Sequence, residues 1–210
     1  AEGCADMVSM ARPFLADPHL VKKARLSRPE DINTCIGCNQ ACLDHVFKQK
    51  VASCLVNPRA CHEDEFGAIA APLDGEDRIM RGGLVDHRLR GQRIAVVGGG
   101  PAGMSAALER ARLGAEVTLF ERNSALGGQF LLAQRIPGKF EFNETIRYFQ
   151  TQLHHLNVSV QLNTAATSEL LAGFDEVVMA TGVRPRMLNI PGSDRPEVVS
   201  YFDVLNGEVE

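Results

Sequence analysis

The sequence has 210 residues, of which 45% are hydrophobic and 23% charged, and its formal net charge is −4 at pH 7. A chain with no basic tract, no tryptophan and little aromatic content argues against a nucleic-acid partner. No apolar run reaches membrane-spanning length and no secretory signal pattern opens the chain, so we expect a cytoplasmic, globular protein without a membrane partner. The first residue is not methionine, and we expect a piece of a longer polypeptide.

The first 30 residues predict one βα unit. Residues 4–10 are apolar enough for a buried strand, and Asp17-Pro18 is typical of a helix start, with Asp17 as the N-cap of a helix over residues 20–26. One strand and one helix cannot bury each other, so this unit is expected to be the closing βα unit of something larger. Arg12 follows the predicted strand; it could hold a phosphate, but on residues alone the solvent-facing alternative is favoured.

Four cysteines predict a metal centre. Cys35, Cys38, Cys42 and Cys54 follow the spacing C-x2-C-x3-C-x11-C. Three clustered thiols and a remote one are typical of a [4Fe–4S] cluster, whereas structural zinc, the alternative, more often uses two separated CxxC pairs. Disulfides are disfavoured in a reducing compartment. Cys61 is the alternative fourth ligand, and Cys4 is predicted to be a buried apolar residue.

A change in composition predicts a boundary after the cysteines. Residues 63–92 mix acids, arginines and glycines with only short apolar stretches, which is typical of an exposed connector between domains.

A strand, a glycine loop, a helix and a second strand follow the connector. The predicted strands are Arg93–Val97 and Glu116–Phe120, and the helix between them covers residues 104–114. The loop GGGPAG fits a dinucleotide-binding turn. In such a turn Gly98 permits the tight bend, Gly100 lets a pyrophosphate approach the backbone, and Gly103 lets the helix pack closely on the strand.

An acidic residue stands where a dinucleotide fold needs one. Glu121 follows the second strand and can accept hydrogen bonds from a ribose diol, while its charge disfavours a 2′-phosphate. The alternative, an ordinary glycine-rich turn, explains neither the flanking strands nor this acid.

The remaining pattern continues an α/β fold. Residues 142–156 predict a helix, and residues 157–162 and 176–180 predict strands. Gly127-Gly128 makes a further turn with an accessible backbone. Thr181-Gly182 is either a simple strand-ending turn or part of a ligand site at the carboxyl edge of a parallel sheet.

Several segments together resemble a known family. IAVVGGGPAG, FERNSALGGQF and VVMATGVRPR resemble the FAD domain of flavoprotein disulfide-reductase-like enzymes. With SMARPFLADP and CIGCNQACLDHVF before them, the chain is similar to the bacterial NADPH-dependent 2,4-dienoyl-CoA reductases of the old yellow enzyme and trimethylamine dehydrogenase superfamily. In the related amine dehydrogenases the third cysteine comes one residue sooner, so the spacing favours the dienoyl-CoA or enoate reductase branch.

The resemblance implies a domain plan. Residues 1–30 would be the end of an FMN-binding TIM barrel, residues 31–63 the iron–sulfur segment, residues 64–92 a linker, and residues 93–210 an incomplete Rossmann-like FAD domain. Electrons would pass from NADPH through FAD and a [4Fe–4S] cluster to FMN, which would reduce an unsaturated acyl-CoA in fatty acid β-oxidation. The rest of the barrel and the NADPH-binding portion would be supplied by other residues of the same polypeptide.

The resemblance also assigns site residues. Ala11 and Arg12 would bind the FMN phosphate, the four cysteines would hold the cluster, and FAD would contact Ala102, Glu121, Gly128, Gln129, Ala166, Thr181 and Gly182. No catalytic residue is assigned. The alternatives are an enoate reductase or amine dehydrogenase of the same superfamily, or a zinc-stabilised nucleotide-binding module without redox function.

Overall fold

The chain contains two compact units. The computed structural model describes residues 3–65, 88–184, 186 and 189–207. Its two units are Ala1–Leu84 and Val85–Glu210. Most of the predicted connector, residues 66–87, lies outside the described residues. In the part that is described, no helix is long and apolar enough to cross a membrane.

The first unit is built from short helices. These are α1 (Arg12–Ala16), α2 (Leu20–Arg25) and α3 (Leu43–Phe47), with a 3-10 turn at Pro29–Asp31 between α2 and α3. Helix α2 confirms the predicted helix, whereas α1 was not predicted. The N-cap of α2 is His19, not Asp17, but the Asp17 carboxylate still accepts the His19 N–H at 2.9 Å.

The predicted strand at residues 4–10 is wrong. These residues form neither helix nor strand, and Met7 and Val8 are 87% and 72% exposed. A parallel strand needs a neighbouring strand to satisfy its backbone groups. None lies beside this segment among the described residues of the first unit. Cys4 is also exposed rather than buried.

A buried polar network holds the first unit together. The Lys23 ammonium donates to Asp17 Oδ2 at 2.6 Å and to the Asp31 carbonyl at 2.8 Å. Asp17 Oδ2 also accepts the backbone N–H of Asn33 at 2.9 Å, and the Asn33 amide donates to the Val56 carbonyl at 2.8 Å. The network therefore joins α2 to the chain just before Cys35 and just after Cys54.

The second unit is a parallel α/β domain. Its strands are β1 (Arg93–Val97), β2 (Glu116–Phe120), β3 (Ser159–Gln161) and β4 (Glu176–Met179), in the order β3-β2-β1-β4. All three pairings are parallel. The helices are α4 (Pro101–Arg112), α5 (Phe130–Ala133), α6 (Phe142–His155), α7 (Ser168–Leu171) and α8 (Tyr201–Asn206). This architecture confirms the predicted fold class.

The core of this unit lies between the sheet and helices α4 and α6. Ile94, Val96 and Leu119 from the sheet and Met104 from α4 are fully buried, and Leu153 from α6 is 1% exposed. β1 is buried on both faces, since the successive residues Ile94, Ala95 and Val96 are all 0% exposed, and it pairs with β2 along one edge and β4 along the other. The carboxyl ends of β1, β2 and β4 therefore meet at one edge, in register at Val97, Phe120 and Met179.

Candidate functional site

The loop after β1 turns directly into helix α4. Gly100 is the N-cap of α4 and Pro101 is in its first turn. Proline is favoured there because it has no N–H to satisfy. The first intrahelical bond runs from the Met104 N–H to the Gly100 carbonyl, at 2.9 Å. The N–H groups of Ala102 and Gly103 come before the first intrahelical bond. They therefore lie at the positive, N-terminal end of a 12-residue helix, where N–H groups can donate to an anion.

Two glycines of this loop have steric reasons to be glycine. Gly98 has φ of +109°, and a Cβ there would lie 2.3 Å from the Ala180 carbonyl oxygen. A Cβ on Gly103 would lie 1.8 Å from the Gly98 carbonyl oxygen. These contacts agree with the turn and the close packing predicted for the two residues. A larger residue at position 98 would push away the chain that follows β4, and one at position 103 would push α4 away from the end of β1.

Gly100 differs from the other two glycines. A Cβ there meets only the Gly128 Cα, at an ordinary 3.9 Å, and its backbone angles suit any residue. Nothing in the described protein requires glycine at this position. The open space beside Gly100 suits the close approach of a pyrophosphate to the backbone.

Glu121 joins two loops through its carboxylate. It is 6% exposed, and its Oε2 accepts the Gly99 N–H at 2.7 Å while its Oε1 accepts the Asn123 N–H at 2.8 Å. Each carboxylate oxygen accepts about two hydrogen bonds. Glu121 can therefore fix the glycine loop and still accept from a ribose hydroxyl.

A second loop closes against the first. The Gly127 N–H donates to the Gly99 carbonyl at 2.8 Å, and a Cβ on Gly128 would lie 3.0 Å from the Gly100 Cα. The next residue, Gln129, donates from its side chain to the Val183 carbonyl at 3.4 Å. Gly128 and Gln129 thus lie beside the dinucleotide loop.

The remaining predicted FAD contacts lie at the same sheet edge. Thr181 and Gly182 are exposed and follow β4 after Ala180. The strand order reverses between β1 and β4, because the chain runs from β1 through β2 to β3 on one side and then returns to form β4 on the other side of β1. Ligands of such sheets bind at this switch point. Ala166 is half-buried and lies two residues after Thr164. The Thr164 N–H donates to the Glu121 carbonyl at 2.9 Å, which holds this segment next to Glu121.

The four predicted cluster ligands line one small pocket of the first unit. Cys35, Cys38, Cys42 and Cys54 share its wall with Arg12 and Asn39. A 2.6 Å hydrogen bond from the Ser53 N–H to the Ala41 carbonyl brings Cys42 and Cys54 together despite the residues between them. All four thiols are free and half-buried.

Four thiols in one pocket supply the donor set of a metal centre. The described residues contain no group of three or more His, Cys, Asp or Glu side chains placed to hold one metal ion. A [4Fe–4S] cluster takes one thiolate on each of its four irons, and structural zinc also takes up to four thiolates. The chemistry of the four cysteines therefore fits both centres.

The surroundings of Cys54 shift the pKa of its thiol. Burial raises its pKa, and the neighbouring Cys35 and Cys38 raise the pKa further, while backbone N–H groups of Val56 and Asn57 counteract the shift. Metal binding would have to remove this proton, since the thiolate is the ligand. The N–H groups would stabilise the sulfur once it is charged.

The alternative fourth ligand, Cys61, stands apart from these thiols. It is exposed, and its backbone N–H donates to Glu63 Oε1 at 3.1 Å. It does not contribute to the pocket wall.

Arg12 and Ala11, the predicted FMN phosphate residues, lie at the start of α1. Both are exposed, and Ala11 is the N-cap of α1. The Arg12 guanidinium donates to Asn39 Oδ1. The sequence analysis did not predict Asn39 as the partner of Arg12. The one sequence feature that pointed to it was an asparagine between Cys38 and Cys42, since asparagine tolerates a left-handed backbone better than most residues.

Residues 92–207 match the family described as pyridine nucleotide-disulphide oxidoreductase. This match covers more than half of the chain. The chain belongs to that family. It follows that the second unit is an FAD/NAD(P)-binding Rossmann-type domain of an oxidoreductase, as the glycine loop and Glu121 predicted.

Three relatives extend the likeness over the cysteine segment. A metal reductase of Desulforamulus reducens is 38% identical over 98% of this chain and 29% of its own length. An N,N-dimethylglycine/sarcosine dehydrogenase of Chromohalobacter salexigens is 35% identical over 99% of this chain and 29% of its own. The solved complex of 2-naphthoyl-CoA reductase with 2-naphthoyl-CoA matches with a TM-score of 0.85 and 36% identity, covering 100% of this chain and 30% of that one.

These likenesses confirm the resemblance at the level of the superfamily. The chain is a flavoprotein oxidoreductase of the old yellow enzyme and trimethylamine dehydrogenase type, and the group includes both reductases and amine dehydrogenases. The narrower prediction of a 2,4-dienoyl-CoA reductase is not confirmed. The chain spans about 30% of the length of the relatives it matches.

Proposed function

We propose that this chain is the electron-relay part of a cytoplasmic, NADPH-dependent reductase of 2,4-dienoyl-CoA thioesters. In this proposal FAD binds at the dinucleotide loop, and a [4Fe–4S] cluster is held by Cys35, Cys38, Cys42 and Cys54. FMN and the acyl-CoA substrate would bind mainly to further residues of the same polypeptide, as would NADPH. The observation that carries the proposal is the presence of a four-thiol pocket and a dinucleotide loop in one chain.

The residues of the second unit suit an FAD ligand rather than a mononucleotide. The N–H groups at the start of α4 would bind the pyrophosphate over the open side of Gly100, and Glu121 would accept from the adenosine ribose. Glu121 is already fixed by two backbone N–H groups, so binding requires little reordering of its side chain.

The residues of the first unit suit a one-electron centre. Four half-buried thiols supply the ligands, and the backbone N–H groups near Cys54 would stabilise its sulfur. Such a cluster supplies single-electron transfer between two flavins. The buried network of Asp17, Lys23 and Asn33 would keep the cysteine segments in place while the charge of the centre changes.

Two observations favour reduction of a thioester over oxidation of an amine. The cysteine spacing resembles the reductase branch, and a solved relative with a TM-score of 0.85 is an acyl-CoA reductase. The second candidate is an amine dehydrogenase, because a curated relative that is 35% identical oxidises methylated glycines, as its name states.

The cluster assignment is tested by ligand substitution. Anaerobic reconstitution should give about four irons and four sulfides per chain, and Cys→Ser at position 35, 38, 42 or 54 should remove them because each iron needs its thiolate. Cys4→Ser and Cys61→Ser are the matched controls and should retain full iron content. Loss with Cys61→Ser but not with Cys54→Ser would refute the ligand set, and stoichiometric zinc in place of iron would support the non-redox module.

A further inference from the structure

Arg12 lines the four-cysteine pocket, and its guanidinium bonds to Asn39, which also lines that pocket. Arg12 shares the wall with Cys35, Cys38, Cys42 and Cys54, although it precedes Cys35 by 23 residues. The resemblance assigns Arg12 only to an FMN phosphate. Its position therefore puts a permanent positive charge beside the thiols, a role that the resemblance does not include.

One side chain fixes the guanidinium in that position. Asn39 Oδ1 accepts from Arg12 Nη1 at 2.5 Å, across 27 residues of sequence. Asn39 itself has φ of +60°, in the left-handed region that asparagine tolerates better than most residues. It belongs to the loop between Cys38 and Cys42, and that loop in turn lines the pocket.

We infer that Asn39 is a positioning residue that holds the Arg12 guanidinium against the cysteine pocket, where its charge raises the reduction potential of the cluster proposed there. This inference rests on the proposed iron–sulfur site. Four thiolates give the oxidised [4Fe–4S] centre a net negative charge, and reduction makes that charge larger. A nearby cation stabilises the reduced form more than the oxidised form, so its removal should make reduction harder.

Coulomb's law sets the size of the effect. A unit charge about 10 Å away at an effective dielectric constant of about 20 changes a one-electron equilibrium on the order of tenfold. Because Arg12 is exposed, screening reduces this figure, and we expect a change of about three- to tenfold. Tenfold corresponds to about 59 mV for one electron.

The test is a redox titration of the reconstituted chain, followed by the electron paramagnetic resonance of the reduced cluster. Arg12→Gln should lower the midpoint potential, whereas Arg12→Lys should keep it close to the original because the charge is retained. Asn39→Gly removes the acceptor without backbone strain and should lower the potential by less than Arg12→Gln. Arg28→Gln, which removes an exposed arginine outside the pocket wall, should leave it unchanged.

Iron content separates the two proposals. If the original chain assembles about four irons and Arg12→Gln leaves the potential unchanged, the inference is overturned while the proposed cluster stands. An equal fall with Arg12→Lys and Arg12→Gln would also overturn it, since the effect would not follow the charge. A chain that binds no iron under any anaerobic condition would overturn both. If Arg12→Gln lowers the potential but Asn39→Gly leaves it unchanged, Asn39 does not position the guanidinium and that part of the inference is overturned.

Discussion

At the scale of single residues, the glycine loop separates structural glycines from a ligand-binding one. Gly103 has no room for a Cβ, which would lie 1.8 Å from a backbone oxygen, whereas a Cβ on Gly100 has its nearest neighbour at 3.9 Å. The pattern of the loop predicted these separate reasons for the two glycines, but the space beside each one depends on how closely α4 approaches β1, which a sequence pattern does not give.

The first prediction compares alanine at these two positions. Gly103→Ala should destabilise the second unit by about 2 to 4 kcal/mol, since backbone must shift to relieve the overlap. Gly100→Ala should leave the thermal midpoint nearly unchanged and still weaken FAD binding by about tenfold or more, because the methyl group occupies the pyrophosphate approach. Thermal unfolding and FAD titration measure the two effects. Equal destabilisation by both substitutions would contradict this division.

The second residue-scale prediction concerns Glu121. Glu121→Ala should weaken FAD binding by roughly 1.5 to 3 kcal/mol, about ten- to a hundredfold, through loss of charge-assisted hydrogen bonds to the ribose. It should also loosen the loops, because the Gly99 and Asn123 N–H groups lose their acceptor. FAD titration measures the first effect, and amide hydrogen exchange at Gly99 and Asn123 measures the second. Glu116→Ala, at an exposed position of β2, is the control, and FMN binding as tight as FAD binding would refute a dinucleotide site.

At the scale of elements, the sequence predicted best where an element is defined by its own residues. β1 and β2 have the predicted bounds, because each is a short apolar run between clear turn signals. Residues 4–10 were misjudged for the opposite reason, since their apolar character supports a strand only where neighbouring strands exist. α5 and α7 have only four residues each, too short for a helical period to be recognised. α8 had a readable signal, a capping box between Ser200 and Asp203.

The cysteine segment shows a similar limit. The spacing predicted four ligands, and all four lie in one pocket. The contacts that bring them there were not predictable, because they join groups far apart in the sequence, such as the Asn33 amide and the Val56 carbonyl, which are 23 residues apart. Lys23 and Asn33 read as ordinary surface residues, yet both are buried.

A prediction at this scale tests the buried network. The Lys23 and Asp17 side chains are 9% and 3% exposed, so Lys23→Met would leave a buried carboxylate without its cation, at a cost of about 3 to 5 kcal/mol. The Asn33 N–H, which donates to Asp17, should then exchange with solvent about a hundredfold faster or more. The double variant with Asp17→Asn removes the unpaired charge and should recover part of the protection. Unchanged exchange in Lys23→Met would show that the pair does not hold this segment.

At the scale of the whole molecule, the two units carry different parts of the proposed relay. The family match begins at residue 92, whereas the four cysteines precede residue 55. The likeness to relatives nevertheless covers 98% or more of this chain. The proposed relay needs both segments, because the cluster of the first unit would accept single electrons from the flavin of the second unit.

The last prediction is that this chain, expressed by itself, binds no FMN at micromolar concentration and does not reduce a 2,4-dienoyl-CoA with NADPH. Micromolar affinity needs about 8 kcal/mol, and one charged contact from Arg12 to a phosphate supplies about 1.5 to 3 kcal/mol. Residues 4–10, which would have to form a barrel strand beside the flavin, are exposed and contain no strand. FMN titration and a turnover assay measure both properties, with FAD binding as the control that the second unit is folded. Micromolar FMN binding or turnover above background would show that these residues complete a flavin site by themselves.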